Sequence, residues 1–198
     1  MMKYLIGVLL VGSISCCQRK ITEVAGLLEF INNPENGLVK EKHFSDFKIV
    51  IKHLPANYMA IKEAKGNVQL ADSMHKAYGN SFAFLLSIVP DSTNDIMYRG
   101  ISNDADYIAR AQDINFNFSE NIELKTPVGK ISPVLHSFEN TYSLTNHRNI
   151  YLVFEKKRYD ELVKSSAEFD LVFYDKYFGS GITHFVFDTD KIKQAALL

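Results

Sequence analysis

Six histidines and several close-set carboxylates are the side chains in this sequence best suited to chemistry. The histidines stand at His43, His53, His75, His136, His147 and His184. None forms the helical HExxH pair that would hold zinc. His136 and Glu139, in "HSFE", lie three apart, a spacing that could share a metal on a helix. The stretch reads as a strand, where an odd offset sends the two side chains to opposite faces. Asp188 and Asp190, in "FDTDK", could hold a hard cation but sit where aspartates commonly make turns and helix caps. Asp104 and Asp106 resemble the start of a calcium loop without its glycine or closing glutamate. Gly179-Ser180-Gly181 lacks the strand-to-helix elbow of a serine nucleophile and reads as a hairpin turn. No phosphate-binding or dinucleotide-binding loop occurs, so no cofactor, metal or catalytic residue is assigned. Tyr142, Tyr151, Tyr159, Tyr174 and Tyr177 would suit recognition if they shared one patch, and half-buried strand faces otherwise.

The elements that would position these residues follow from periodicity. Strands are expected over 44–53, 81–90, 114–125, 131–144, 149–156, 169–174 and 182–187. In the first, Phe47, Ile49 and Ile51 face one way and Lys48 and Lys52 the other. "SFAFLLSIVP" is nearly all apolar, as a central strand buried on both faces would be. "INFNFSENIELK" alternates through Ile114, Phe116 and Phe118, with a bend expected at 119–121. Helices are expected from Thr22 through Ile31, over 56–65 and over 68–78, the last with Leu70, Met74 and Ala77 inward. Another follows Asn103 or Asp104, with Tyr107, Ile108 and Ala111, and 159–163 reads as a helical turn. Late strands that follow one another without helices argue antiparallel neighbours. The expectation is an α+β fold: a mostly antiparallel sheet of about seven strands with three or four helices, in one domain over 22–198.

Bulk composition narrows the partners. Twenty-two Lys+Arg balance 23 Asp+Glu, so the chain lacks the basic excess that nucleic-acid binding uses. The two cysteines, Cys16 and Cys17, are adjacent, so residues 18–198 contain no thiol. That excludes a disulfide framework, a thiolate zinc site and a cysteine nucleophile from the body of the chain.

The opening "LIGVLLVGSISCC" decides the setting. It is shorter than the roughly 20 apolar residues of a membrane span and stops at Gln18, Arg19 and Lys20. Lys3, the apolar stretch 4–12 and the small residues Ser13-Ile14-Ser15 are the three parts of a secretory signal. Ser15-Cys16 resembles the end of the bacterial lipoprotein lipobox, with Ile14 acceptable before it and Ser13 where leucine is commonest. The resemblance covers about the first 17 residues and implies nothing about the fold. It implies cleavage between Ser15 and Cys16 and lipid attachment at Cys16, with Cys17 the runner-up. An ordinary cleaved signal and an uncleaved short anchor are the other readings of the same stretch.

In that family two or three acyl chains, palmitate among them, anchor a protein stably where one would not. Residues 16–21 would form a lipidated tether of about 20 Å, at 3.3–3.6 Å per residue. Cys17 stands where aspartate often signals inner-membrane retention, which points to the outer membrane, facing the periplasm. The expected function is a membrane-anchored envelope domain that binds or scaffolds another envelope protein. The alternatives are a periplasmic hydrolase with a site dispersed over the strands, marked by His136, His147 or His184 meeting a carboxylate in a pocket, or a carrier of a small apolar ligand.

Overall fold

Alternation of apolar and polar residues builds the larger of two sheets. The computed structural model describes residues 24–139 and 144–197. The expected Thr22 cap and Tyr142 lie outside that range. β1 (Val39–His43), β2 (Phe47–Leu54), β3 (Ser81–Pro90), β6 (Leu135–Phe138) and β7 (Arg148–Glu155) form five strands in the order β1-β2-β3-β7-β6. β4 (Ile122–Thr126), β5 (Gly129–Ile131), β8 (Glu168–Tyr174) and β9 (Ile182–Asp188) form four in the order β5-β4-β8-β9. Every strand pairing is antiparallel. The fold is therefore α+β and antiparallel, but among the described residues it has nine strands in two sheets rather than about seven in one.

Six α-helices are present among the described residues, more than the three or four expected. They are α1 (Val24–Asn32), α2 (Ala56–Ala64), α3 (Val68–Tyr78), α4 (Asp104–Asn117), α5 (Lys156–Leu162) and α6 (Thr189–Ala195). α5, seven residues long, takes in the helical turn expected at 159–163, and α6, also seven residues, follows directly on β9.

The core lies between the sheets and is largely aromatic. Phe82, Phe84 and Phe154 project from the larger sheet, and Phe169 and Phe187 from the smaller. Phe169 and Phe187 stack at 5.4 Å, and Phe84 meets Phe187 at 5.3 Å. Tyr159 of α5 lies flat on Phe82 at 3.6 Å. Each fully buried ring contributes about 1.5–3 kcal/mol of transfer free energy. One cluster of buried apolar residues spans both sheets and takes in Leu27 and Ile31 of α1, Ile114 of α4 and Ile192 of α6.

The segment 114–125 overturns its expected strand. Ile114, Phe116 and Phe118 alternate, but Ile114 and Phe118 are also four apart, one helical turn and a little more. The helix wins: α4 runs to Asn117, a short 3-10 turn covers Phe118–Asn121, and only Ile122–Thr126 is strand. Ile114 and Phe118 are buried, whereas Phe116 is 77% exposed. The asparagines between them face water with it.

Three smaller corrections share one cause, that packing is set by distant elements. The expected strand 131–144 is split between β5 and β6, which belong to different sheets, with Pro133 in the crossing. β1 was not expected because "VKEKH" is an exposed edge strand. α3 has the expected bounds but no buried residue: it packs on α2 and presents Leu70 and Ala77 to solvent. β3 is central, as expected, with Phe82, Phe84, Leu86 and Ile88 buried inward. Its other face is only half-covered at Leu85 and Val89.

Candidate functional site

The half-covered face of the larger sheet is the floor of a groove of about 810 Å³. Register places its residues in rows. Lys48 lies opposite Val89; Val50 opposite Ser87, which pairs in turn with Asn149; Lys52 opposite Leu85, which pairs with Tyr151. Alternation sends Phe47, Ile49 and Ile51 into the core and these residues outward. The end of α1 and the 3-10 turn after it supply one rim through Asn32 and Pro34, and β1 another through Val39 and Glu41. Lys52 Nζ donates to Asn32 Oδ1 at 2.7 Å, and Lys48 Nζ pairs with Glu41 Oε2 at 3.2 Å. Ser87 Oγ donates to Asn149 Oδ1 at 2.6 Å, and Asn149 Nδ2 to Glu139 Oε2 at 2.6 Å. Partial burial, then the charge of Lys48, holds the Lys52 ammonium below the usual lysine pKa.

At the end of the same sheet, loops enclose a cleft of about 1190 Å³. Its walls come from the turn at Ser45 and Asp46, the segment from Pro90 to Arg99, and Leu144–His147. Two ion pairs fix these loops. Arg99 donates through Nε and Nη2 to Asp46 at 3.0 and 2.9 Å. Arg148, nearly buried, pairs with Asp95 and donates through Nη1 to the carbonyls of Thr145 and His147 at 2.7 and 2.9 Å. Asp95 Oδ1 accepts from Met97 N at 2.9 Å and so caps a 3-10 turn over Ile96–Tyr98. His147 lines both the cleft and the groove.

The other histidines go elsewhere. His53 is buried against Phe82 and Phe84, with Nδ1 3.0 Å from Ala83 O. Burial drives its pKa down to about 4 against the opposing effect of that bond. His136 faces inward on β6. Its Nε2 lies 3.1 and 3.0 Å from the carbonyls of Ile114 and Asn115, so Nε2 carries the proton and caps the end of α4. Nδ1 then accepts from Ser119 Oγ at 2.7 Å. This is the order of a nucleophile, a base and its orienter, yet neither residue lines the groove or the cleft. Glu139 is not with it: Glu139 accepts from Asn149 on the opposite face. His184 Nδ1 meets Asp170 Oδ2 at 2.6 Å on the exposed face of the smaller sheet. His43 lies 3.1 Å from Glu41 in solvent, and His75 is exposed on α3.

The close-set carboxylates sit at helix starts, Asp188 as a cap and Asp104, Asp106 and Asp190 in first turns. Asp188 Oδ1 accepts from Asp190 N and Lys191 N at 2.8 and 3.1 Å to start α6. Asn103 caps α4 and donates to Asp106 Oδ2 at 2.8 Å. Among the described residues no group of three His, Cys, Asp or Glu converges on a metal position. Ser180 Oγ donates to Asp175 at 2.8 Å inside the expected hairpin turn. The late tyrosines scatter: Tyr159 is in the core, Tyr151 is on the outer face of the larger sheet, and Tyr174 is on that of the smaller. Tyr177 donates to Asp113 at 2.6 Å beside α4.

Sequence reasoning missed one ionic cluster. On the outer face of the smaller sheet Glu123 accepts from Lys125, Lys130 and Tyr174 at 2.6, 2.9 and 2.5 Å. Burial raises the Glu123 carboxyl, but those hydrogen bonds and the Lys125 charge outweigh it and set the pKa at about 2. Glu123 and Lys125 share a face at i, i+2, the one local signal for this cluster.

No protein-family model and no curated protein matches the chain. A crystal structure of a protein of unknown function from Burkholderia pseudomallei K96243 is similar at 12% identity. The alignment covers 88% of this chain and 86% of that one, with a TM-score of 0.43, which carries no argument about either.

Proposed function

We propose that the chain is a lipid-anchored domain of the bacterial envelope, attached to the outer membrane through Cys16 and facing the periplasm, where it binds or scaffolds another envelope protein. The observation that carries the reading is Ser13-Ile14-Ser15-Cys16 after a short apolar run, with no cysteine beyond the adjacent Cys17. Two or three acyl chains would hold the domain at the surface without a span. Among the described residues no helix is long and apolar enough to cross a membrane. The loop cleft and outer groove support a binding role. Both are broad, and both are lined by hydroxyls, amides and paired charges. The His136–Ser119 and His184–Asp170 pairs lie outside both hollows, whereas His147 lines both, the cleft alongside Asp46, Asp91 and Asp95.

The test is metabolic labelling with an alkyne palmitate analogue in a bacterial host, followed by membrane fractionation. Wild type should label and sediment with membranes. Cys16→Ala should lose both. Unchanged labelling and fractionation of that variant would overturn the proposal.

A further inference from the structure

α4 is apolar on the side that no part of the described chain covers. Its inward side carries Ile114, fully buried, with Tyr107, Arg110 and Ala111 half-buried. Ala105, Ile108, Ala109, Gln112 and Phe116 recur at three- and four-residue spacing and form the opposite face. All five are exposed, Ile108 at 54% and Phe116 at 77%, and only Gln112 is polar. A surface helix ordinarily puts charged and polar residues there. α4 is fixed against rolling to bury this face. Arg110 Nη1 donates to the carbonyls of Met97 and Arg99 at 2.9 and 2.7 Å, and Tyr177 donates to Asp113 at 2.6 Å. His136 holds the carbonyls of Ile114 and Asn115.

We propose that this face pairs with the same face of a second copy of the chain, the two α4 helices packed antiparallel about a two-fold axis. The face is its own complement in size. Phe116, its tallest side chain, and Ala105, one of its shallowest, lie equally far from the midpoint between Arg110 and Ala111, as do Gln112 and Ala109. A two-fold axis through that midpoint sets Phe116 of each copy over Ala105 of the other, and Gln112 over Ala109. A parallel pair would set ring against ring and leave a gap at the alanines. Ala105 and Ala109, one turn apart, let the axes approach toward the lower end of the usual range, about 8 Å. Pairing takes Ile108 and Phe116 out of water, and the face carries no charge that would be desolvated with them. The flank is complementary as well. Asp104 and Asp106 lie in the first turn. Toward the other end, on the flank of Asp106, hydrogen bonds from Tyr177 and Asn117 hold the Asp113 carboxyl below its ordinary pKa, and the nearby Lys176 charge adds to them. Antiparallel packing brings Asp106 of one copy to the end where Lys176 of the other stands. One helix face is less than the roughly 800 Å² per partner of a standard interface, so the dimer is weak. The inference rests on α4 alone and is independent of lipid attachment at Cys16.

The test uses the full chain carrying Cys16→Ser and Cys17→Ser, so that neither acyl groups nor a disulfide joins two copies. Sedimentation from about 5 µM to about 1 mM should show monomer passing to dimer, with a dissociation constant on the order of 100 µM. Ala109→Glu and, separately, Phe116→Ser should each weaken the dimer at least about ten-fold. Their thermal midpoints at about 1 µM, where the chain is monomeric, should match that of the parent. Gln112→Leu should tighten the dimer. p-Benzoylphenylalanine at position 116, irradiated in the dimer, should cross-link to residues 101–109 of the second copy. Within one chain Ala105 is about 16 Å from that position, at 1.5 Å per residue, and out of reach. Monomer throughout the range would overturn the proposal. So would a dimer that Ala109→Glu and Phe116→Ser leave intact, because its contact would lie elsewhere, the apolar opening stretch included. Cross-links from position 116 only to other segments would overturn it too.

Discussion

Replacing Arg148 by methionine should be among the most damaging single changes in the molecule. The Arg148 side chain is 4% exposed and that of Asp95 12%. Methionine keeps most of the buried length but removes the guanidinium. Asp95 then keeps one backbone donor, Met97 N, and loses its counter-charge, while the carbonyls of Thr145 and His147 lose their shared donor. Breaking a buried ion pair by removing one partner costs about 3–5 kcal/mol, most of it from the charge left behind. For a chain of this size that lowers the thermal midpoint by roughly 6–20 °C. Urea denaturation of wild type, Arg148→Met, Asp95→Asn and the double variant supplies the assay. The double variant should be more stable than Arg148→Met, because the orphaned carboxylate is gone. A single variant within about 1 kcal/mol of wild type would refute the reasoning. Strict additivity in the cycle would refute it equally.

Three further outcomes are expected. Because the His53 pKa falls from 6.5 to about 4 on folding, its contribution is complete above pH 6.5 and is lost as pH drops toward 4. The loss totals on the order of 3 kcal/mol, and His53→Gln should flatten the stability profile in that window, measured by urea melts. Glu123 behaves with the usual carboxylate sign. Its folded pKa of about 2 lies below 4.5, so its contribution is complete above pH 4.5 and is lost between 4.5 and 2. Glu123→Gln should remove that segment of the acid unfolding curve. Finally, Ile114→Ala should cost about 2–5 kcal/mol, whereas Phe116→Ser should fall within about 0.5 kcal/mol of wild type in the same melts. A strand with both residues on one face would make the two costs similar.

Much of the fold could be read from local pattern, and the failures have identifiable causes. Helix α3 and strand β3 have the bounds expected of them because Asn67 and Gly79 delimit the first and ten apolar-rich residues define the second. Segment 114–118 failed because Ile114, Phe116 and Phe118 satisfy two periods at once. Only the packing of Phe118 against Phe173, 5.5 Å away across the core, separates them. The division into two sheets was not legible, because it depends on which strand pairs with which and not on any strand's own composition. At the candidate groove, the wet face of β2 was visible in Lys48 and Lys52. Their surroundings were not. Asn32 reaches Lys52 from 20 positions away, and Ser87 meets Asn149 across 62. One cue was available: Ser87 is a lone hydroxyl inside "FAFLLSIVP", and a buried hydroxyl requires a partner.

The setting of this domain rests on the thiol of Cys16, and the direct measurement is the mass of the N-terminal peptide from chain extracted out of membranes. The account predicts a peptide that begins at Cys16, with residues 1–15 gone and the added mass of a diacylglycerol and acyl chains on Cys16. An unmodified peptide beginning at Met1, or one cleaved after Cys17 with no lipid, would contradict it.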